Sequence, residues 1–213
     1  MKQGLIAVPV MAAALMAAGA VQAQQQPQTE GNWLVRARAI YIMPQGSSDP
    51  GLVPQDAVTL NNVVAPEVDI SYFFTKNIAA ELIATYPQQH NVNLAGTGNI
   101  GTVKHLPPTL LLQYHFLPEG QFRPYLGAGF NYTKFSDVSL NAAGVGPLFL
   151  DSSSTGGALQ AGMDIKISGN MYFNVDVKKI WIDSDVSDGS GAFVTHVDIN
   201  PLIVGAGIGY AFR

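Results

Sequence analysis

Hydrophobic and polar residues alternate along most of the chain after residue 31. Alternation with a period of two is typical of β-strands, whose successive side chains point to opposite faces. Each alternating segment spans about ten to thirteen residues, which is the length of a tilted strand that crosses a membrane. Eight strands are predicted, at residues 32–43, 63–74, 78–86, 106–116, 123–133, 156–167, 171–182 and 197–212.

The connections between these strands alternate in length. Long ones are predicted at residues 44–62, 87–105, 134–155 and 183–196, and short ones at 75–77, 117–122 and 168–170. Outer-membrane barrels show this asymmetry, and an even number of strands puts both chain ends on the side of the short turns. The predicted fold is all-β: an eight-stranded antiparallel transmembrane β-barrel with short periplasmic turns and long extracellular loops.

The two faces of the predicted strands differ in charge. In the first strand, the phase from Trp33 to Tyr41 is uncharged, whereas the opposite phase carries Arg36 and Arg38. On other strands the uncharged phase ends in aromatic residues, namely Tyr72, Phe74, Tyr86, Tyr114, Phe116, Phe130 and Tyr132. Such rings border a lipid-facing band. A soluble barrel such as a lipocalin also has eight strands, but it carries its charges outside.

The first residues are predicted to be an export signal. Lys2 precedes an apolar run from Leu5 to Ala20. Val21-Gln22-Ala23 then places small residues at the two positions that signal peptidase recognises. An uncleaved membrane anchor is the alternative, but the run is short and contains Pro9. We therefore expect residues 1–23 to be a cleaved Sec-type signal peptide, 24–31 a short periplasmic segment, and 32–213 a barrel domain in a Gram-negative outer membrane.

Composition narrows the classes of function. Only 12% of residues are charged and 47% are hydrophobic, which is unusual for a soluble protein. Removal of Lys2 with the signal leaves ten Lys or Arg against fifteen Asp or Glu, which argues against nucleic-acid binding. The chain has no cysteine, so disulfides and thiol catalysis are not expected.

Five stretches carry a resemblance to a known family. They are NWLVRARAIYIMP (32–44), PEVDISYFFTKNIAAELIATYP (66–87), VKHLPPTLLLQYHF (103–116), RPYLGAGFNYTKF (123–135) and NVDVKKIWI (174–182). In this order, they resemble the outer membrane protein W family over essentially the whole mature chain. The resemblance implies a monomeric barrel with a narrow hydrophobic channel that admits small apolar molecules and releases them sideways into the membrane. Relatives include proteins associated with alkane uptake.

Charges on the inward phase fall mostly in the periplasmic half. An eight-stranded barrel is just wide enough for side chains to fill it, and buried charges must pair. We therefore predict a periplasmic plug, with Gln160 and Asn174 among its polar members and Lys178 nearer the middle. Its charged and histidine members are predicted to be Arg36, Arg38, Glu67, Asp69, Glu81, His115, Asp164, Lys166 and Asp176.

The outer half of the inward phase is apolar instead. The predicted channel lining is Ile40, Ile42, Val63, Ala65, Ile83, Ile180 and Ile182. A solute above a plug needs a lateral exit, and proline can interrupt a strand ladder because it lacks an N–H donor. The prolines in or beside the outer ends of strands are Pro44, Pro66, Pro87, Pro107, Pro108 and Pro201. The alternative is that each proline merely ends a strand.

The predicted function is an outer-membrane channel for small hydrophobic solutes. Expected partners are membrane lipids, lipopolysaccharide and the outer-membrane assembly machinery, and the protein is expected to be a monomer. A structural or adhesive barrel that acts through its loops is the alternative. A lipid A-modifying enzyme is a further one, but His90, His105, His115 and His196 show no spacing to a nucleophile. No catalytic residue, metal or cofactor is expected.

Overall fold

The computed structural model describes residues 32–50 and 54–212, so the predicted signal peptide lies outside the described residues. None of the described residues belongs to a helix long and apolar enough to cross a membrane. These residues form fifteen strands: β1 (Trp33–Met43), β2 (Ser47–Ser48), β3 (Val58–Leu60), β4 (Val63–Phe73), β5 (Ile78–Thr85), β6 (Gln88–Leu94), β7 (Gly98–Leu106), β8 (Thr109–His115), β9 (Phe122–Ala142), β10 (Gly146–Leu150), β11 (Ser153–Ser168), β12 (Met171–Ile180), β13 (Asp183–Asp188), β14 (Phe193–Asp198) and β15 (Leu202–Phe212).

Eight of these strands close into an antiparallel barrel, in the order β1, β4, β5, β8, β9, β11, β12, β15. Closure is made by β15 against β1, which pair without interruption from Trp33 with Phe212 to Met43 with Leu202. Every backbone group in a closed ladder finds a partner on a neighbouring strand, which is what the interior of a membrane requires. The predicted eight-stranded barrel is confirmed.

The two ends of the barrel differ. At one end, which we call the turn end, short turns join β4 to β5, β8 to β9, and β11 to β12. At the other, the extended end, β9 continues beyond the barrel and the remaining short strands pair around it. The added pairs run β3, β6, β7, β9 on one side and β9, β10, β13, β14, β2 on the other.

The long connections lie at the extended end, as predicted, and much of their length forms strands of this extension. Residues 87–105 form the β6–β7 hairpin, and residues 183–196 lie largely in β13 and β14. Two predicted strands are also divided: the one at 106–116 by Pro107-Pro108, and the one at 197–212 ahead of Pro201. Hydrophobic and polar residues alternate over only a few positions in the short extension strands, and Gly, Asn and Ser surround them. The period of two is therefore hard to recognise in the sequence.

The outer face of the barrel is apolar and bordered by aromatic rings. Leu82, Leu110, Leu112 and Leu126 are exposed on its middle band. At the turn end Trp33 and Tyr72 pack with ring centroids 4.7 Å apart. Further exposed rings at that end are Phe74, Tyr114, Phe116, Phe122, Phe173, Tyr210 and Phe212, and those nearer the extended end are Tyr41, Tyr86, Phe130, Tyr132 and Trp181.

Candidate functional site

The barrel interior divides into two layers. The layer near the turn end is polar and charged, and the layer above it is apolar and continues into the extension. We call the first the ionic cluster, defined by Arg36, Arg38, Glu67, Asp69, Glu81, Asp164, Asp176 and Lys178. We call the second the apolar column, defined below.

Arg36 contacts three carboxylates of the ionic cluster. Its guanidinium, fully buried, donates two parallel hydrogen bonds to Asp164, at 2.9 and 2.6 Å. The remaining nitrogen reaches Asp69 at 2.9 Å and Glu81 at 3.2 Å. The fixed fork of an arginine suits this arrangement, because its five donors can serve several carboxylates in one plane.

Arg38 and Lys178 extend the cluster toward the apolar layer. Arg38 lies 2.9 Å from Glu67, 2.6 Å from Asp69 and 2.8 Å from Asp176. Lys178 lies 2.6 Å from Glu67 and 2.9 Å from Asp176. Three cations therefore face five carboxylates among buried side chains, and every carboxylate contacts at least one cation although the carboxylates outnumber the cations by two.

Neutral polar groups complete the cluster. Gln113 donates to Glu81 and to Gln160, each at 2.8 Å, and Gln160 donates to Asp176 at 2.9 Å. Asn174 donates to Asp164 at 2.8 Å. His115 lies 3.2 Å from the Gln113 carbonyl oxygen and stacks on Tyr125, with centroids 4.9 Å apart.

Glycines on facing strands leave room for this cluster. A Cβ at Gly162 would lie 2.4 Å from the ring of Tyr125, and one at Gly205 would lie 2.5 Å from an Asp176 oxygen. The alternating glycines of VGAGIGYAF therefore have a packing role on the inner face.

Eight of the predicted plug residues are buried in this layer. Arg36, Arg38, Glu67, Asp69, Glu81, His115, Asp164 and Asp176 are buried together. Lys166 instead lies partly exposed near the end of β11, at the rim of the turn end.

The apolar column fills the interior above the ionic cluster. Six predicted lining residues, Ile40, Ile42, Ala65, Ile83, Ile180 and Ile182, belong to one buried hydrophobic cluster. Val63 is only partly buried and lies outside it. The same cluster gains Leu111 and Ile203 from the barrel, and Val103, Phe135 and Val197 from the extension.

The column is closely packed. The cavity between the ionic cluster and the extension has a volume of about 10 Å³, lined by Ile40, Ile83, Ile180 and Ile203 among others. That volume holds about one water molecule. Side chains therefore fill the interior in this conformation, and a solute could pass only if they moved.

Ladder pairing in the barrel wall is interrupted between β4 and β5 and also, beside Pro107 and Pro108, between β5 and β8. Strands β4 and β5 pair from Phe73 with Ala79 up to Glu67 with Thr85. Pairing resumes in the same register between β3 and β6, at Leu60 with Val92. Asn61 and Asn91 are joined by a backbone hydrogen bond of 3.3 Å. We call the intervening residues, 62–66 and 86–90, the unpaired seam.

The predicted prolines have different surroundings. Pro66 and Pro87 lie in the unpaired seam, one on each side. Pro108 is bonded on its β9 side, since its carbonyl oxygen accepts from the backbone N–H of Tyr132 at 3.1 Å, whereas on its other side the β5–β8 pairing ends at Ile83 with Thr109. Pro107 precedes it between β7 and β8, and Pro44 simply follows β1.

Two histidines lie inside the extension beside the seam. His90 on β6 and His105 on β7 are buried and stack with ring centroids 4.9 Å apart. Burial lowers the pKa of His90, and burial together with His90 lowers the pKa of His105 to about 3. No local pattern indicates this pair, because both histidines fall in the long connection predicted at residues 87–105.

A hydroxyl, a carboxylate and an imidazole also meet on the outside of the extension. Ser154 donates to Asp183 at 3.0 Å, and His196 lies 3.8 Å from the same carboxylate and 2.6 Å from Asp185. Nucleophilic catalysis needs the imidazole against the hydroxyl, with the carboxylate behind it. Here the carboxylate stands between them, so the order is wrong for activating Ser154.

Within residues 32–50 and 54–212, no group of three or more His, Asp or Glu side chains is arranged to hold a metal ion.

Lys179 points to the lipid side and reaches the extended end, where its amine donates to Gln45 at 2.6 Å. A long side chain of this kind carries its charge out of the apolar band.

A closed eight-stranded barrel with an apolar outer band, aromatic borders and buried internal charges is a transmembrane β-barrel. Residues 29–212 match the model of the OmpW family, and the chain belongs to that family. It is 36% identical to outer membrane protein W of Vibrio cholerae over 224 residues, covering 100% of both chains.

Solved structures agree with this assignment. The crystal structure of OprG from Pseudomonas aeruginosa is similar with a TM-score of 0.74 and 29% identity, over 86% of this chain and 97% of that one. The solution structure of Escherichia coli outer membrane protein W is similar with a TM-score of 0.61 and 32% identity, over 86% and 98%. The protein is therefore a Gram-negative outer-membrane barrel in contact with lipids, with its turn end periplasmic and its extension extracellular.

Proposed function

We propose that this barrel is a channel for small hydrophobic molecules, which reach the apolar column from outside and leave through the wall into the outer membrane. The observation that carries the proposal is the continuity of the apolar column from the extension down to the ionic cluster. An apolar solute loses contact with water throughout that column, whereas it gains nothing from the charges below it.

In this proposal, the ionic cluster closes the periplasmic end of the channel. Its charges are paired with one another and buried, so that their separation by a passing solute would be costly. A solute that enters the column therefore has to leave sideways. The unpaired seam supports an exit there, because fewer hydrogen bonds have to break than at a continuous ladder.

Several further features belong to this proposal. Residues 1–23 act as a cleaved signal peptide and residues 24–31 remain in the periplasm, next to the turn end where β1 begins. The barrel functions as a monomer after insertion by the outer-membrane assembly machinery, contacts lipopolysaccharide at its outer border, and needs no cofactor or metal. It is not an enzyme, in keeping with the order of Ser154, Asp183 and His196.

Uptake of a radiolabelled medium-chain alkane tests the proposal. Cells that produce the protein should take up the alkane faster than matched cells without it. Ile83→Asp should abolish the gain, because it places a carboxyl group in the apolar column. Ile83→Val is the matched control and should retain uptake, with folding of all variants checked by heat-modifiable migration. Equal uptake in cells with and without the protein would exclude the channel.

The exit is tested with the same assay. Pro66→Ala and Pro87→Ala restore N–H donors in the unpaired seam and should slow uptake if the seam opens. Pro124→Ala, in the continuous ladder between β9 and β11, should have no effect. Slowing by the Pro124 variant alone would place the exit elsewhere.

A further inference from the structure

Three buried polar atoms beside the unpaired seam have no hydrogen-bond partner among the described residues. They are the hydroxyl oxygen of Thr85, the side-chain carbonyl oxygen of Gln88 and Nε2 of His90. Gln88 and His90 are 3% and 0% exposed, so that bulk water does not satisfy them. Unpaired buried polar groups are rare, and each is destabilising unless something binds it.

Two of these atoms need a hydrogen-bond donor. The Gln88 amide nitrogen already donates to the Tyr86 carbonyl oxygen, which leaves the Gln88 oxygen as an acceptor. His90 Nδ1 lies 2.8 Å from the Asn61 carbonyl oxygen, which can only accept. Nδ1 therefore carries the ring proton and Nε2 is an acceptor. The Thr85 hydroxyl can donate or accept.

Thr85 and Gln88 stand at the top of the apolar column, and His90 stacks on His105 beside them. Thr85, Gln88 and His105 line the small cavity together with the isoleucines below them. The charged residues that line the same cavity, Glu67 and Lys178, are bonded to each other at 2.6 Å. The acceptors without a partner, on Gln88 and His90, therefore lie at the seam, and the isoleucines of the apolar column lie beneath them.

We propose that Thr85, Gln88 and His90 form a recognition site for the hydroxyl group of an otherwise apolar solute. This inference rests on the proposed channel function and specifies its substrate class as monohydroxylated amphiphiles, such as medium-chain alcohols. The tail lies in the apolar column and the hydroxyl donates to Gln88 or His90 while it accepts from Thr85. A pure alkane leaves these acceptors unpaired and is admitted less readily.

The test is a comparison of two radiolabelled probes, a primary alcohol and an alkane of equal chain length, after subtraction of uptake by cells that lack the protein. Gln88→Met keeps the size of the side chain and removes its acceptor. It should lower the ratio of alcohol to alkane uptake about fivefold, the effect of losing one hydrogen bond. Gln89→Met is the matched control, because Gln89 is exposed on the other face of β6.

Thr85→Val gives an independent reading if the Gln88 variant fails to insert, and it should lower the ratio in the same direction. An unchanged ratio in a folded variant, with alkane uptake intact, would overturn the recognition site and leave the three atoms as a site for one trapped water. Failure of the unmodified protein to raise uptake of either probe would instead refute the channel itself.

Discussion

Arg36 connects β1 to three other strands through its side chain alone. It comes from β1, and its carboxylate partners Asp69, Glu81 and Asp164 come from β4, β5 and β11. Because a buried ion pair costs desolvation on both sides, its net contribution to stability is small while it is intact. Removal of one partner leaves the others charged and buried, and that state is far less favourable.

Arg36→Met should therefore lower the free energy of unfolding by about 3–5 kcal/mol. Urea unfolding of the barrel in lipid vesicles, followed by tryptophan fluorescence, measures the change. Lys76→Met is the control, since Lys76 and its partner Glu119 are 75% and 74% exposed and solvent screens their pairing. Equal, small effects of both substitutions would show that the ionic cluster is hydrated rather than buried.

The sequence predicted most residues of this cluster because strand phase alone separates inward from outward positions. Arg36, Arg38, Glu67 and Asp69 lie on inward phases of two clear strands. Lys166 shares the inward phase but lies partly exposed near the end of β11, because phase does not say how near a residue lies to the barrel rim. Thr85 and Gln88 were missed because neutral polar residues beside a proline look like a loop.

At the scale of elements, the β6–β7 hairpin differs from the barrel below it. Its interior holds the stacked pair His90 and His105, which are neutral because burial lowers the pKa of both. In the unfolded chain a histidine titrates near pH 6.5. The unfolded state therefore binds more protons than the folded state below that pH, and stability falls as the solution is acidified.

We expect the hairpin to be fully stable above about pH 6.5 and to loosen progressively toward pH 3, since the pKa of His105 is about 3 when folded. Amide hydrogen exchange in β6 and β7, corrected for the intrinsic rate at each pH, measures this. Combined His90→Phe and His105→Phe should remove the pH dependence and keep the stacking.

His196 provides an internal control of opposite sign. Its hydrogen bond with Asp185 raises its pKa, so its contribution is present in acid and is lost as the pH rises above its folded pKa. Exchange in β13 and β14 should not accelerate on acidification to the same extent as in β6 and β7. Acceleration equal in both hairpins would assign the effect to general loosening of the extension.

The elements were predicted unevenly for a physical reason. Long strands such as β1 and β4 face lipid on one side and the interior on the other, so their alternation is strong over eleven residues each. Strands such as β6 and β13 face water outside, and polar residues occupy some of their inward positions, Gln88 and His90 in β6 and Ser184 in β13. Their pairing comes from neighbouring strands at the extended end, which no local pattern records.

At the scale of the whole molecule, a solute that crosses the barrel from end to end meets the apolar column first and the ionic cluster second. An ion meets the apolar column, where it would be unsolvated, and then the ionic cluster, whose charges are already paired. An apolar solute meets only the column, provided that it leaves at the unpaired seam. The same barrel is therefore expected to block ions and to pass apolar molecules.

This selectivity gives a prediction for the protein in a planar bilayer at neutral pH. Steady current should stay far below that of a water-filled porin, because no continuous aqueous path exists through eight strands filled by side chains. Ile180→Ala should widen the column and raise apolar uptake about twofold, since it removes packed methyl groups. The same substitution should leave the current unchanged, because the ionic cluster stays closed beneath it. A current that rises together with apolar uptake would mean that both species share one path across the cluster, and the lateral exit would then be unnecessary.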